Sequence, residues 1–96
     1  MADQVRFTWD PRKSEINIRL HGVSFEEART VFFDESGKLI DDPDHSQDED
    51  RFILIGMSSK FRMLIVCHCY RSDEEEIRII SARKASKNEA SIYKEQ

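Results

Sequence analysis

Ninety-six residues, 39% hydrophobic and 35% charged with a formal charge of −4, fit one globular domain and exclude a fibrous, low-complexity or disordered chain. The longest apolar runs, Phe52 to Gly56 and Met63 to Cys67, fall far short of the roughly 20 residues that span a bilayer, and no signal-like run opens the chain. A cytoplasmic protein with no membrane partner is therefore expected. Cys67 and Cys69 lie two apart in an apolar run, too cramped for an easy disulfide and without the second pair that zinc needs, so they read as buried thiols. The charge is uneven. Between Asp34 and Asp50, eight acidic residues face Lys38 alone, a local −7, which leaves +3 on the remainder. An acidic total can thus coexist with a basic face suited to phosphate.

In chain order, Val5 to Trp9 alternates weakly as a short strand. Asp10-Pro11 then supplies an N-cap and a first helical residue. Ile16 and Leu20 form an apolar stripe on that helix, Lys13, Asn17 and His21 a polar one beside it, and Gly22 stops it. Ser24-Phe25-Glu26-Glu27 fits a capping box, and Phe25, Ala28 and Phe32 extend a second helix to about Phe33. Lys38 to Ile40 reads as a short edge strand. Asp41 to Asp50, with Pro43 inside it, has no periodicity and reads as a solvated loop. Arg51 to Met57 and Arg62 to Tyr70 are strands parted by the polar break Ser58-Ser59-Lys60, which favours a hairpin; Ile77 to Ala82 completes a meander. Ser86-Lys87-Asn88-Glu89 caps a last short helix carrying Ala90 and Tyr93. The order β-α-α-β-β-β-β-α predicts an α+β domain over residues 1–96, with a small, mostly antiparallel sheet packed with helices.

These residues resemble the BrnT ribonuclease toxins of type II toxin–antitoxin systems. The resemblance is carried by Phe7-Thr8-Trp9-Asp10 with Lys13 and Asn17, His21-Gly22-Val23-Ser24-Phe25-Glu26-Glu27-Ala28, and Val31-Phe32 with Asp34. It continues through Arg51-Phe52 before Ile55-Gly56, and Ile77-Arg78-Ile79-Ile80-Ser81-Ala82-Arg83 with Ala85, Glu89 and Tyr93. One departure is Leu20, where the family usually has Lys before His-Gly; if that Lys touches RNA, contact is weakened here or Arg19 compensates. The resemblance implies a RelE-like fold, RNA cleavage that blocks translation, and neutralisation by a BrnA-like antitoxin. It further implies that DNA is met only through that antitoxin; a dimer of toxin–antitoxin heterodimers is one assembly this allows.

Metal-free RNA cleavage uses the 2′-hydroxyl as nucleophile, so a site must move protons and stabilise extra charge on phosphate. No cofactor and no metal are expected, and the catalytic candidates are Lys13, Arg51, His68, Arg78 and Arg83. Each has a plainer alternative. Lys13 can be an exposed helix residue, and Arg51 and Arg83 can pair with carboxylates. His68, which interrupts an apolar strand on the face of Leu64, Val66 and Tyr70, is either a structural histidine or an acid or base; a tight return from Arg71 would bring Arg78 near it. Arg78 is singled out because a charge inside a strand needs an open face. Trp9, His21 and Arg71 are candidates for holding RNA, with Trp9 also readable as core and His21 as a helix C-terminal cap. The acidic run from Asp41 lacks the EF-hand's Gly and terminal Glu, and suits an electrostatic surface better than a metal site. Two other functions stay open: a degenerate toxin that only binds its antitoxin, and a metal-dependent hydrolase centred on the acidic run.

Overall fold

The computed structural model describes residues 5–41, 51–71 and 75–95. The elements are β1 (Arg6–Thr8), α1 (Pro11–His21), α2 (Phe25–Thr30) closing as a 3₁₀ turn (Val31–Phe33), β2 (Lys38–Asp41), β3 (Phe52–Met57), β4 (Met63–Arg71), β5 (Glu76–Lys84) and α3 (Lys87–Lys94). This is the order expected from the sequence. Most of the acidic segment, residues 42–50, lies outside the described residues.

The local signals explain the helix ends. The Asp10 side chain accepts from the Arg12 amide, Pro11 opens α1, and Gly22 ends it in the left-handed region at φ 70°. The Ser24 hydroxyl accepts from the Glu27 amide at the start of α2. Ser86 and Glu89 close a full capping box on α3.

The strands form one sheet in the order β1-β5-β4-β3-β2, with β1 parallel to β5 and every other pair antiparallel. Val23, Phe25, Ala28 and Val31 pack on Leu54, Leu64, Val66, Ile79 and Ala82, so the core lies between α2 and one face of the sheet. Gly56 is on that face, and a Cβ there would meet Val31 Cγ1 at 2.7 Å; the close approach of the 3₁₀ turn to β3 requires its absence. The opposite face carries α3. Arg83 reaches Glu89 of α3, and Lys38 donates to the Glu95 carbonyl just past its end.

Helix α1 departs from its apolar pattern. Its buried residues are Ser14 and Asn17, while Ile16, Ile18 and Leu20 are exposed, Leu20 by 71%. The reason lies at the sheet edge. β1 is three residues long and covers only Glu76 to Arg78, which leaves the later half of β5 without a strand on that side. The Asn17 amide fills that place: Nδ2 donates to the Ala82 carbonyl at 2.8 Å, and Oδ1 accepts from the Ala82 amide at 3.2 Å. Nδ2 also donates to the Val23 carbonyl at 2.8 Å. Asn17 thus stands in for a peptide group of the missing strand, satisfying backbone groups that burial would otherwise leave unpaired.

Candidate functional site

The outward face of the sheet carries the candidate arginines. Across β4 and β5 the register pairs Ile65 with Arg83, Cys67 with Ser81 and Cys69 with Arg78, so these six residues share one face. Arg51, one residue before β3, continues the β3–β4 register to Cys69. Arg51 and Arg78 therefore flank Cys69 from either side, their backbones about 10 Å apart across two strand spacings, within convergent reach of two arginine side chains.

A β-bulge brings Arg78 into this group. Cys67 faces Ser81 but His68 faces Ile79, which leaves Ile80 as an extra residue on β5. In a regular strand Arg78 and Arg83, five apart, would point to opposite faces; the extra residue restores them to one face. The resulting trough has a volume of about 280 Å³ and is lined by Arg51, Ile53, Ile65, Cys67, Ile80, Ser81 and Arg83, with Arg78 adjoining. Ser81 and Cys67 were not among the expected residues; the period of two along each strand places both beside the arginines once the bulge is known.

Arg83 forms one wall with a fixed partner. Its Nη1 and Nη2 donate to the two Glu89 oxygens at 2.8 and 2.7 Å, and Glu89 Oε1 also accepts from the Ser86 amide. The Arg83 hydrogen bond, helped by the Ser86 amide and opposed by burial, holds the Glu89 carboxyl down at about 2; the same contact raises Arg83. The carboxylate is thus committed to orienting the arginine. Because the folded value lies below the ordinary 4.5, this contact is fully present above that value and is lost as pH falls toward about 2. The melting-temperature gap between wild type and Glu89→Gln should therefore be largest near pH 6 and shrink steadily below about pH 4.5, since Gln keeps the acceptor for Ser86 and loses only the charge. A gap independent of pH would remove the ion pair from the account.

The other candidates are dispersed. Lys13 is exposed on α1, one turn before Asn17, and so lies along the β5 edge rather than on the trough's floor. Arg71 is exposed at the end of β4, paired in register with Glu76, whose carboxyl is lowered chiefly by the Thr8 hydroxyl, against burial, and then by Arg6 and Arg71. His21 is exposed at the end of α1. Trp9 is half-buried, edge-on to Phe25 at the rim of the core.

His68 is a correction. It is fully buried on the helix side of the sheet, its ring packed against Phe32 and Phe52, and it pairs with Ile79, so Arg78 points away from it to the other face. Nδ1 lies 3.1 Å from the Val66 carbonyl, which can only accept, so Nδ1 carries the proton and Nε2 accepts from the Tyr70 hydroxyl at 3.2 Å. Burial pushes its pKa below the ordinary histidine value, and the Val66 contact only partly opposes this. A neutral ring so enclosed packs the core and has no surface open to a substrate.

A second hollow of about 350 Å³ is lined by Thr30, Phe33, Asp34, Met57, Ser58 and Ser59. Its carboxylate, Asp34, accepts from the Met57 amide and the Tyr93 hydroxyl and stays ionised, which disfavours phosphate there. Among the described residues no group of His, Cys, Asp or Glu is arranged to hold a metal, and no helix is long and apolar enough to cross a membrane.

Residues 9–89 match the model of the family described as the ribonuclease toxin BrnT of type II toxin–antitoxin systems. The fold is similar to the crystal structure of the Brucella abortus ribonuclease toxin BrnT, with a TM-score of 0.65 and 25% identity, over 86% of this chain and 99% of that one. No curated protein matches the chain.

Proposed function

Because the chain belongs to the BrnT family of ribonuclease toxins of type II toxin–antitoxin systems, we propose that it cuts RNA at the arginine trough, without a metal ion. The observation that carries this reading is the bulge that turns Arg78 to the same open face as Arg83 and Arg51. When a 2′-hydroxyl attacks the adjacent phosphorus and the P–O5′ bond breaks, giving a 2′,3′-cyclic phosphate and a 5′-hydroxyl, negative charge builds on the non-bridging oxygens. Arg51 and Arg78 meet that charge with planar forks of donors, a role a divalent cation would otherwise fill. A guanidinium does not give up its proton, so we assign to the Lys13 ammonium at the β5 edge the proton delivered to the leaving 5′-oxygen, with the 2′-hydroxyl proton passing to water. Arg83, clamped by Glu89, shapes the wall of the trough.

The chain, purified free of any partner, should cleave unstructured RNA at a rate changed less than about twofold by excess EDTA, because the charge stabilisation is supplied by side chains. Full dependence on magnesium or manganese would return the reading to the acidic segment.

The antitoxin is proposed to be BrnA-like, to cover the basic face, and to make the only DNA contacts, within a dimer of heterodimers. Exposed Ile16, Ile18 and Leu20 on α1, and exposed Phe33 at the end of the 3₁₀ turn, support a protein partner, since surface apolar groups of this size favour burial. The reading extends to a single RelE-like domain acting in the cytoplasm.

A further inference from the structure

The β3–β4 turn holds Phe61 in the left-handed region at φ 63°, the one non-glycine residue described there, with 88% of its surface exposed. Both properties are unfavourable for the fold alone. A bulky side chain is strained at positive φ, where Gly or Asn fits, and the ring gains nothing from burial. Strain and exposure at one residue point to a use for the ring outside the fold.

The turn is also held rigidly. The Ser58 hydroxyl accepts from the Lys60 and Arg62 amides and donates to Glu27 Oε2 at 2.7 Å, and the Phe61 amide donates to the Ser58 carbonyl at 2.9 Å. Arg62 clamps both oxygens of Glu27, which is 4% exposed, and donates to the Gly22 carbonyl at 2.9 Å. A buried carboxylate and its arginine thus fasten the base of a turn whose tip is an exposed ring.

The surroundings are cationic. Lys60 precedes Phe61, and β5 brings Lys84 opposite Leu64, with Ala85 bonded to Met63, so Lys84 and the start of α3 at Lys87 stand at the same end of the sheet. Two carboxylates at this end, Glu27 and Glu89, are each neutralised by an arginine, and a third, Asp34, is turned to the Met57 amide and the Tyr93 hydroxyl. A protein-binding anchor needs an apolar surround that excludes water, whereas the turn neighbours of Phe61 are Ser59, Lys60 and Arg62. An exposed ring with Lys60 beside it in the chain and Lys84 at the same end of the sheet fits a base stacked on its face with the adjoining phosphates met by lysine.

We propose that Phe61 is a stacking platform for an unpaired nucleobase of the RNA, with Lys60 on the backbone beside it. This rests on the ribonuclease reading but places an RNA contact at the far end of the sheet from Arg78. The test is binding of a short, unstructured oligodeoxyribonucleotide, which lacks the 2′-hydroxyl and cannot be cleaved, followed by fluorescence anisotropy, so the result does not depend on catalysis. Phe61→Asn should weaken binding about tenfold while raising the melting temperature by a few degrees, because Asn accepts positive φ. Phe61→Trp should bind at least as well as wild type, and Phe61→Leu, which keeps the apolar bulk without the ring face, should be as weak as Phe61→Asn. Unchanged binding by Phe61→Asn overturns the proposal, as does wild-type binding by Phe61→Leu. Unchanged binding with weakened antitoxin capture would reassign the ring to a protein interface. Loss of binding in Phe61→Asn, together with no cleavage by the wild-type chain, would uphold the platform and reject the ribonuclease reading.

Discussion

Arg78→Ala and Arg51→Ala should each lower kcat/KM for RNA cleavage by about a hundredfold, roughly 2.7 kcal/mol of transition-state stabilisation, the scale seen when one preorganised donor to a developing oxyanion is removed. The two arginines flank Cys69 from opposite sides, and the proposed site has both meet the same phosphate. Their effects should therefore fall short of additive, and the double variant should lose well under ten-thousandfold. Arg78→Lys should recover only part of the loss, because an ammonium keeps the charge but not the planar fork. The Arg78 side chain has no hydrogen bond or ion pair to any described residue, and its removal should leave the melting temperature within about 2 °C, a change below ~0.5 kcal/mol. Steady-state cleavage beside thermal melts makes the measurement. Near wild-type activity in both folded variants would move the site off this face.

Asn17→Ala should be the most damaging single change to the fold. It strips partners from the Ala82 amide, the Ala82 carbonyl and the Val23 carbonyl in a position only 5% exposed. At about 1 kcal/mol or more for each buried group left unsatisfied, the cost is roughly 3 kcal/mol or more, a large part of the stability of a domain this small. That corresponds to a fall of about 12 °C or more in melting temperature. Asn17→Asp should be as harmful despite its shape, because Nδ2 donates to two carbonyls that would then face a carboxylate. A fall of less than about 4 °C in Asn17→Ala would show that water or a shift of α1 satisfies the β5 edge instead.

His68 and Asn17 exchange the roles their residue types suggest. A histidine in a strand reads as chemistry and an asparagine on a helix as surface, yet the histidine is sealed beneath Phe32 and the asparagine completes a sheet. Neither outcome depends on the residue's own neighbours in sequence. Each depends on how far another element extends: β1 is too short to cover Ala82, and the 3₁₀ turn reaches over β4.

The elements, their order and their caps were decided locally by the sequence. Asp10-Pro11, Ser24 with Glu27 and Ser86 with Glu89 act within one turn of chain, and the Ile-, Leu- and Val-rich runs Arg51 to Met57 and Arg62 to Tyr70 mark strands wherever they finally pair. The ordered motifs likewise identified the family from the residues alone. The tertiary structure decided which side chains share a face. Alternation predicts faces only while every residue has a partner, and the unpaired Ile80 reverses the parity between Arg78 and Arg83. A bulge of this kind is set by the fit of β5 against β4, so the gathering of the arginines is a property of the sheet rather than of any segment within it.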